Sequence, residues 1–170
     1  MNRRPEETEY APPYGRYIAR VPETAILPIL ESQIAELRAL AEAASEKETF
    51  RYAPGKWSVR EVMGHLTDAE RVFGFRAFCF SRGEEAPLPG FEENQYVAAS
   101  GYDAVDLASL FREWVLVREA NLEFLRRLPE EAWSRAGTAS GWPISVRALV
   151  YAMAGHVRHH REVLRERYGV

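Results

Sequence analysis

Four stretches of the sequence repeat their apolar residues every three or four positions, and each is bracketed by residues that start or stop a helix. The first covers 24–44, with Ile26, Leu30, Ile34, Leu37 and Leu40 on one face and Pro28 in its opening turns, where a missing N–H is tolerated best. The second covers 58–82. Ser58 and Glu61 form an S-x-x-E capping pair at its start, and Gly83 follows its end. The third, 103–128, carries Leu107, Leu110, Phe111, Trp114, Val117, Phe124 and Leu125 and is stopped by Pro129. The fourth, 145–168, has Ser145 as N-cap and Gly169 after its end. Amphipathic helices of roughly 20 to 25 residues, with no convincing series of strands, predict an all-α fold, a four-helix bundle. At 170 residues the chain is expected to form one domain, 1–170, large enough to bury a core.

The connecting segments differ in character. Residues 45–57 and 129–144 are turn-rich and end in Trp or Trp-Pro-Ile before a helix cap. Residues 83–102, GEEAPLPGFEENQYVAASGY, read as a long Pro/Gly loop, a candidate lid carrying Phe91, Glu92 and Asn94. Residues 1–21 read as an arm held by Tyr10, Tyr14 and Tyr17. No apolar run reaches the ~18 residues of a membrane span, and the first residues lack the apolar stretch of a secretory signal. The lone Cys79 excludes an internal disulfide framework. The expectation is a cytoplasmic protein with no membrane partner. The net charge is −3, and 20 arginines and 2 lysines are spread along the chain among 22 glutamates. That distribution argues against a nucleic-acid partner, which selects basic residues clustered on one face.

Three of the four histidines fall within GHVRHHREVL, residues 155–164. On the fourth helix, Val146, Leu149, Met153, His156, His160, Val163 and Arg167 fall at spacings of three and four, which puts His156 and His160 on the core-facing stripe one turn apart. His159 stands about 60° from His156, at the stripe's edge, and is expected at the rim. On the second helix Val62, His65, Ala69, Val72, Arg76 and Cys79 form the stripe, so His65 also faces inward, beside Gly64. A single histidine on an apolar face is commonly a hydrogen-bonded core residue. Three neutral imidazoles converging in an interior cannot satisfy one another's nitrogens, and protonating them would place like charges together. A divalent cation resolves both difficulties, so His65, His156 and His160 are the candidate metal ligands.

Rival signatures fail. No histidine has Glu three residues before it, as the di-iron bundles require. Val157 follows His156, which breaks H-E-x-x-H, and no phosphate-binding glycine loop occurs. Polar residues that interrupt the apolar stripes, Arg76, Arg118 and Asn121, are candidates for a place near the site. Asp68 and Glu61, three after and four before His65, are candidates to orient an imidazole or relay a proton.

The segments KWSVREVMGHLTDAERVF, PLPGF and SVRALVYAMAGHVRHHREVLRERY resemble the DinB-like family, which includes YfiT-type metal-dependent hydrolases and bacillithiol- and mycothiol-dependent relatives. The resemblance spans nearly the whole chain. It implies an up-down-down-up bundle, a zinc or nickel site on the histidine triad His65, His156 and His160, and a homodimer. It further implies a thiol-S-transferase or hydrolase acting on a small electrophile, with a low-molecular-weight thiol as a candidate partner. Three neutral ligands leave a coordination position open, as in catalytic sites. The alternative is a non-catalytic, metal-stabilised dimeric bundle serving as a binding module.

Overall fold

The structure, a computed structural model, describes residues 3–170; the first two residues of the expected arm lie outside the described part. Six α-helices and one hairpin follow in the order α1 (Pro12–Ile18), α2 (Ile26–Ala43), α3 (Val59–Ser81), α4 (Glu93–Ser100), α5 (Leu107–Arg126), β1 (Ala136–Ala139), β2 (Trp142–Ser145) and α6 (Val146–Val163). A π-helical turn, Leu164–Tyr168, continues α6. The four long helices, α2, α3, α5 and α6, are the four that hydrophobic periodicity predicts. Helix α3 packs against α5 and α6, and α2 packs against the same two.

Their starts follow from local chemistry. At the head of α3, Ser58 Oγ accepts the Glu61 amide at 3.1 Å, and Glu61 Oε2 accepts the Ser58 amide at 2.8 Å, a complete capping box. Ser145 Oγ accepts the Ala148 amide at 3.0 Å and starts α6. The third long helix begins later than its pattern suggests. Asp106 Oδ1 accepts the Ser109 amide at 2.8 Å and is the cap, while residues 102–104 form a separate 3-10 turn.

Two connectors carry structure that periodicity does not reveal. Within 83–102, the short helix α4 buries only Val97. Within 129–144, where turns alone are expected, strands β1 and β2 pair antiparallel with Ala136 opposite Ser145 and Ala139 opposite Trp142. Ser140 and Gly141 close that hairpin with φ of 53° and 79°. Both central residues are left-handed, which matches the strand twist and suits glycine better than serine.

The arm folds back on the bundle. Helix α1 packs on α6. Tyr14 donates its hydroxyl to the Ala139 carbonyl at 3.1 Å, and Glu9 accepts two bonds from Arg147 at 2.7 and 2.8 Å. The close approach depends on Gly155. A Cβ there would lie 2.0 Å from the Tyr17 carbonyl oxygen, a backbone atom that cannot move without the whole of α1. Gly155→Ala is therefore expected to lift the arm and to cost about 1–3 kcal/mol, the range for overpacking. A thermal melt reads the loss, and limited proteolysis should cut first within residues 3–21. An unchanged melt and cleavage pattern would contradict this.

At the centre of the bundle lies a buried polar network. Arg118 on α5 makes a two-pronged pair with Glu70 on α3, Nε to Oε1 at 2.8 Å and Nη2 to Oε2 at 2.7 Å. Its Nη1 donates to the Leu30 carbonyl and to Gln33 Oε1 on α2 at 3.0 and 2.9 Å. Gln33 in turn donates to the Ala154 carbonyl of α6 at 2.8 Å, and Asn121 to Glu70 Oε1 at 2.9 Å. One network thus touches all four long helices. Each fork of the guanidinium is satisfied, as burial of a charge requires. Arg118 and Asn121 belong to this network and not to the histidine site, contrary to the expectation drawn from their positions on the stripe.

Candidate metal centre

His156 and His160 project from α6 one turn apart, with ring centroids 4.5 Å apart. Packing of α3 on α6 brings His65 to them at 4.9 and 4.8 Å. One nitrogen from each of the three rings lies within 4.8 Å of the others. The Nε2 atoms of His65 and His156 face each other at 3.0 Å. His159 stands outside the group, with its ring 5.0 Å from His160 and 5.9 Å from Tyr17, on the cavity wall.

Aromatic rings enclose the cluster. Trp57 lies 4.7 Å from His65, Phe91 stacks parallel to it at 6.1 Å, and Tyr17 and Phe73 approach His156 edge-on at 5.2 and 5.9 Å. These rings come from the 45–57 connector, the 83–102 segment, the arm and α3. Of the residues considered for a lid, Phe91 lines the cavity; Glu92 and Asn94 do not, and Glu93 does. Trp57 and Tyr17 are the site residues that sequence reasoning placed elsewhere. The signal was present in the Trp before a helix cap and in the tyrosines of the arm.

The acids flanking His65 serve other purposes. Glu61 caps α3 and pairs with Arg51 at 2.5 Å. Asp68 accepts the Tyr102 hydroxyl at 2.7 Å, and burial, reinforced by that bond, pushes the phenol well up. Gly64 accommodates the same tyrosine: a Cβ there would lie 2.3 Å from the Tyr102 ring. It is thus a side chain that approaches Gly64, and a backbone that approaches Gly155. Arg76, by contrast, does line the cavity.

Burial holds the three imidazoles neutral. It pushes His65 down to about 4, with the His159 charge adding to the effect. It pushes His156 and His160 well down, with their neighbouring histidines contributing next. His65 Nδ1 is buried without a hydrogen-bond partner among the described residues. That ring is held by packing of Trp57 and Phe91 and not by the outer acceptor that ligating histidines usually have.

The donor set suits a divalent first-row cation: three neutral nitrogens, of borderline softness, with no thiolate or carboxylate among them. Two nitrogens bound to one tetrahedral zinc at the usual 2.0–2.1 Å are about 3.3 Å apart, close to the 3.0 Å of His65 and His156. The two facing nitrogens can share one proton at most, so the same contact without a cation leaves the remaining buried nitrogens poorly satisfied.

Depressed imidazole pKa values link stability to pH with a definite sign. Each ring is neutral when folded and titrates near 6.5 when unfolded, so between the two values the unfolded chain binds more protons. Stability of the metal-free protein is expected to fall as pH drops below about 6.5, by about 1.4 kcal/mol per pH unit for each histidine. For His65 the loss continues to about 4 and totals about 3 kcal/mol. Urea unfolding of the chelated protein between pH 7.5 and 5 measures it; a flat profile would refute neutral burial.

The cluster forms one wall of an open cavity of about 510 Å³, within the range of small-molecule sites. Tyr14 and Tyr17 of the arm, Phe91, and Ser140 and Trp142 of the hairpin also line it. Among the described residues, no helix is long and apolar enough to cross a membrane.

A family profile described as the DinB superfamily matches residues 29–164. Among solved structures, YfiT from Bacillus subtilis, described as a probable metal-dependent hydrolase with an unusual four-helix bundle topology, superposes with a TM-score of 0.71. The sequences are 19% identical, and the match covers 98% of this chain and 93% of that one. The mycothiol-dependent maleylpyruvate isomerase superposes with a TM-score of 0.65 at 17% identity, covering 84% of this chain and 60% of that chain. No curated protein sequence matches. At these identities the structural likeness is one of fold.

Proposed function

The chain belongs to the DinB superfamily, and from that footing we propose that it is a divalent-metal-dependent enzyme, a thiol-S-transferase or hydrolase acting on a small electrophile. His65, His156 and His160 are the ligands in this reading. The observation that carries it is the convergence of three neutral imidazoles on the wall of an open cavity of about 510 Å³. A bound zinc or nickel ion supplies Lewis acidity there and lowers the pKa of a coordinated water or thiol.

The chain's own residues then have separable tasks. Trp57, Phe73 and Phe91 exclude bulk water from the imidazoles and lower the local dielectric. The arm, through Tyr14 and Tyr17, closes one side. His159, half-buried and also held down by burial and by Arg20 and Arg16, is placed at the cavity wall to pass a proton between substrate and solvent.

The reading extends to a single domain with up-down-down-up topology, a cytoplasmic setting and a homodimer. Phe75 and Phe78 on α3 and Leu116 on α5 are exposed apolar side chains that a second copy could cover. The alternative, a non-catalytic metal-stabilised bundle, accounts less well for a cavity opening onto the imidazoles, since structural zinc sites are closed by four protein ligands.

The test is turnover by zinc- or nickel-loaded protein in a panel pairing low-molecular-weight thiols or water with activated halides and esters. Metal-dependent turnover should fall on chelation and return with the ion. A metal-replete protein inert across the panel would favour the binding-module alternative.

A further inference from the structure

The protein neutralises its other deeply buried arginines with carboxylates. Arg118 has Glu70, and Arg147 has Glu9. Arg76 on α3 is only 5% exposed, yet it has no carboxylate partner among the described residues. Its Nη2 donates to two neutral oxygens, the Pro89 carbonyl and Ser140 Oγ, both at 2.8 Å. These contacts fix the guanidinium and leave its charge uncompensated. Burying a cation without a counter-charge is costly, and the cost is met in part by the hairpin: Ser140 adopts φ 53° at the turn that presents its hydroxyl to Arg76. The remaining donors of the fork are free to take a planar anion.

Position adds the rest. Arg76 lies eleven residues after His65 on the same helix, about three turns and so on the same face, about 16 Å along the axis. Both side chains line the one cavity, and between them α3 contributes Ala69, Val72 and Phe73 to its floor. Glu93 is the only carboxylate among the lining residues, and it makes no bond to Arg76.

We propose that Arg76 anchors a carboxylate of the substrate, so that the cavity takes a small amphipathic carboxylic acid. Its anionic end sits at Arg76, its apolar body lies over Ala69, Val72 and Phe73, and its reacting group reaches the imidazole cluster. A single fixed fork suits a monoanionic carboxylate, whereas a phosphate dianion calls for more donors than this end of the cavity provides. The assignment deepens the enzyme reading and rests on this cavity being the substrate site.

The test compares 4-phenylbutyrate with the uncharged 4-phenylbutanamide, titrated calorimetrically into the full chain, once metal-loaded and once after exhaustive chelation. The acid is expected to bind about tenfold or more tightly than the amide in both states, the size of a charge-assisted hydrogen bond. Arg76→Met should abolish the preference, and Arg76→Lys, which keeps the charge but not the fork, should retain part of it. If Arg76→Met fails to fold, the comparison in the unmodified protein and in Arg76→Lys decides. Equal affinity for the two probes, no binding of the acid at millimolar concentration, or a preference that survives Arg76→Met overturns the proposal. So does a preference that vanishes on chelation, since the carboxylate would then be on the metal. Elemental analysis of the same samples keeps the two readings apart. A chain that takes up no metal when loaded and still prefers the acid sinks the enzyme reading alone, and a metal-loaded chain without the preference sinks the anchor alone.

Discussion

His156→Ala is expected to purify without metal, whereas the unmodified chain should carry about one divalent ion, as three-histidine sites do. Loss of a residue that merely orients a metal-bound histidine typically costs 10–100-fold in affinity, so removal of a ligand should cost more than about a hundredfold. His156 contacts both other members of the triad, as each of them does, and Tyr17 and Phe73 pack edge-on against its buried ring. His159→Ala, at the wall and outside the nitrogen cluster, should keep the ion. A second readout is independent of metal analysis. A ligand at a hundred times its Kd stabilises the folded state by about 2.7 kcal/mol, and in a chain of this size each kcal/mol moves Tm by about 2–4 °C. Chelation should therefore lower Tm of the unmodified protein by about 6 °C or more and leave His156→Ala unmoved. Full metal content in His156→Ala would remove the triad from consideration.

The largest effect on stability is expected at Glu70. With Arg118 0% and Glu70 1% exposed, Glu70→Ala strands a guanidinium in the middle of the bundle. Removing one partner of a buried ion pair costs about 3–5 kcal/mol. The lost acceptor also releases Asn121, and the strain passes to Leu30 and Gln33 through Arg118 Nη1. Replacing both partners, as in Glu70→Leu with Arg118→Met, should recover most of the loss, because the desolvation cost of the two charges disappears with them. Urea unfolding of the two variants measures this. If Glu70→Ala lies within about 1 kcal/mol of the unmodified protein, the network carries far less than a buried pair should.

The sequence made some of this architecture readable and hid the rest for physical reasons. The long helices stand out because an apolar stripe repeats with the helical period and because Ser58 and Ser145 sit where a cap must. The same stripe brings out His65, His156 and His160, since a polar ring on a core-facing position is conspicuous. Helix α4 escapes because it has no apolar face, burying Val97 alone. The hairpin escapes because Ala136–Ala139 is poor in strand-forming residues and Pro143 interrupts β2. Glu70 escapes for a different reason. Helix α3 is covered by α5 on one side and α6 on another, so it has more buried surface than one stripe describes. Glu70 lies off the apolar stripe and is interior all the same. That is why Arg118 and Asn121 stand out as misfits, and as candidates for a place near the site, while their common partner does not. The aromatic enclosure was the least readable part, because Trp57 and Tyr17 come from segments with no period to project.

The separation of His65 from His156 along the chain has a kinetic meaning. During synthesis the first imidazole emerges long before the pair on α6, and no three-nitrogen site exists until residue 160 is made and α6 docks against α3. Such long-range closure comes late in folding, and domains fold as units once their last elements are available. Until His156 is made, a metal ion meeting the nascent chain finds one of the three donors. On the metal-dependent reading proposed above, the complete three-nitrogen site is offered to an ion only once α6 has docked on α3.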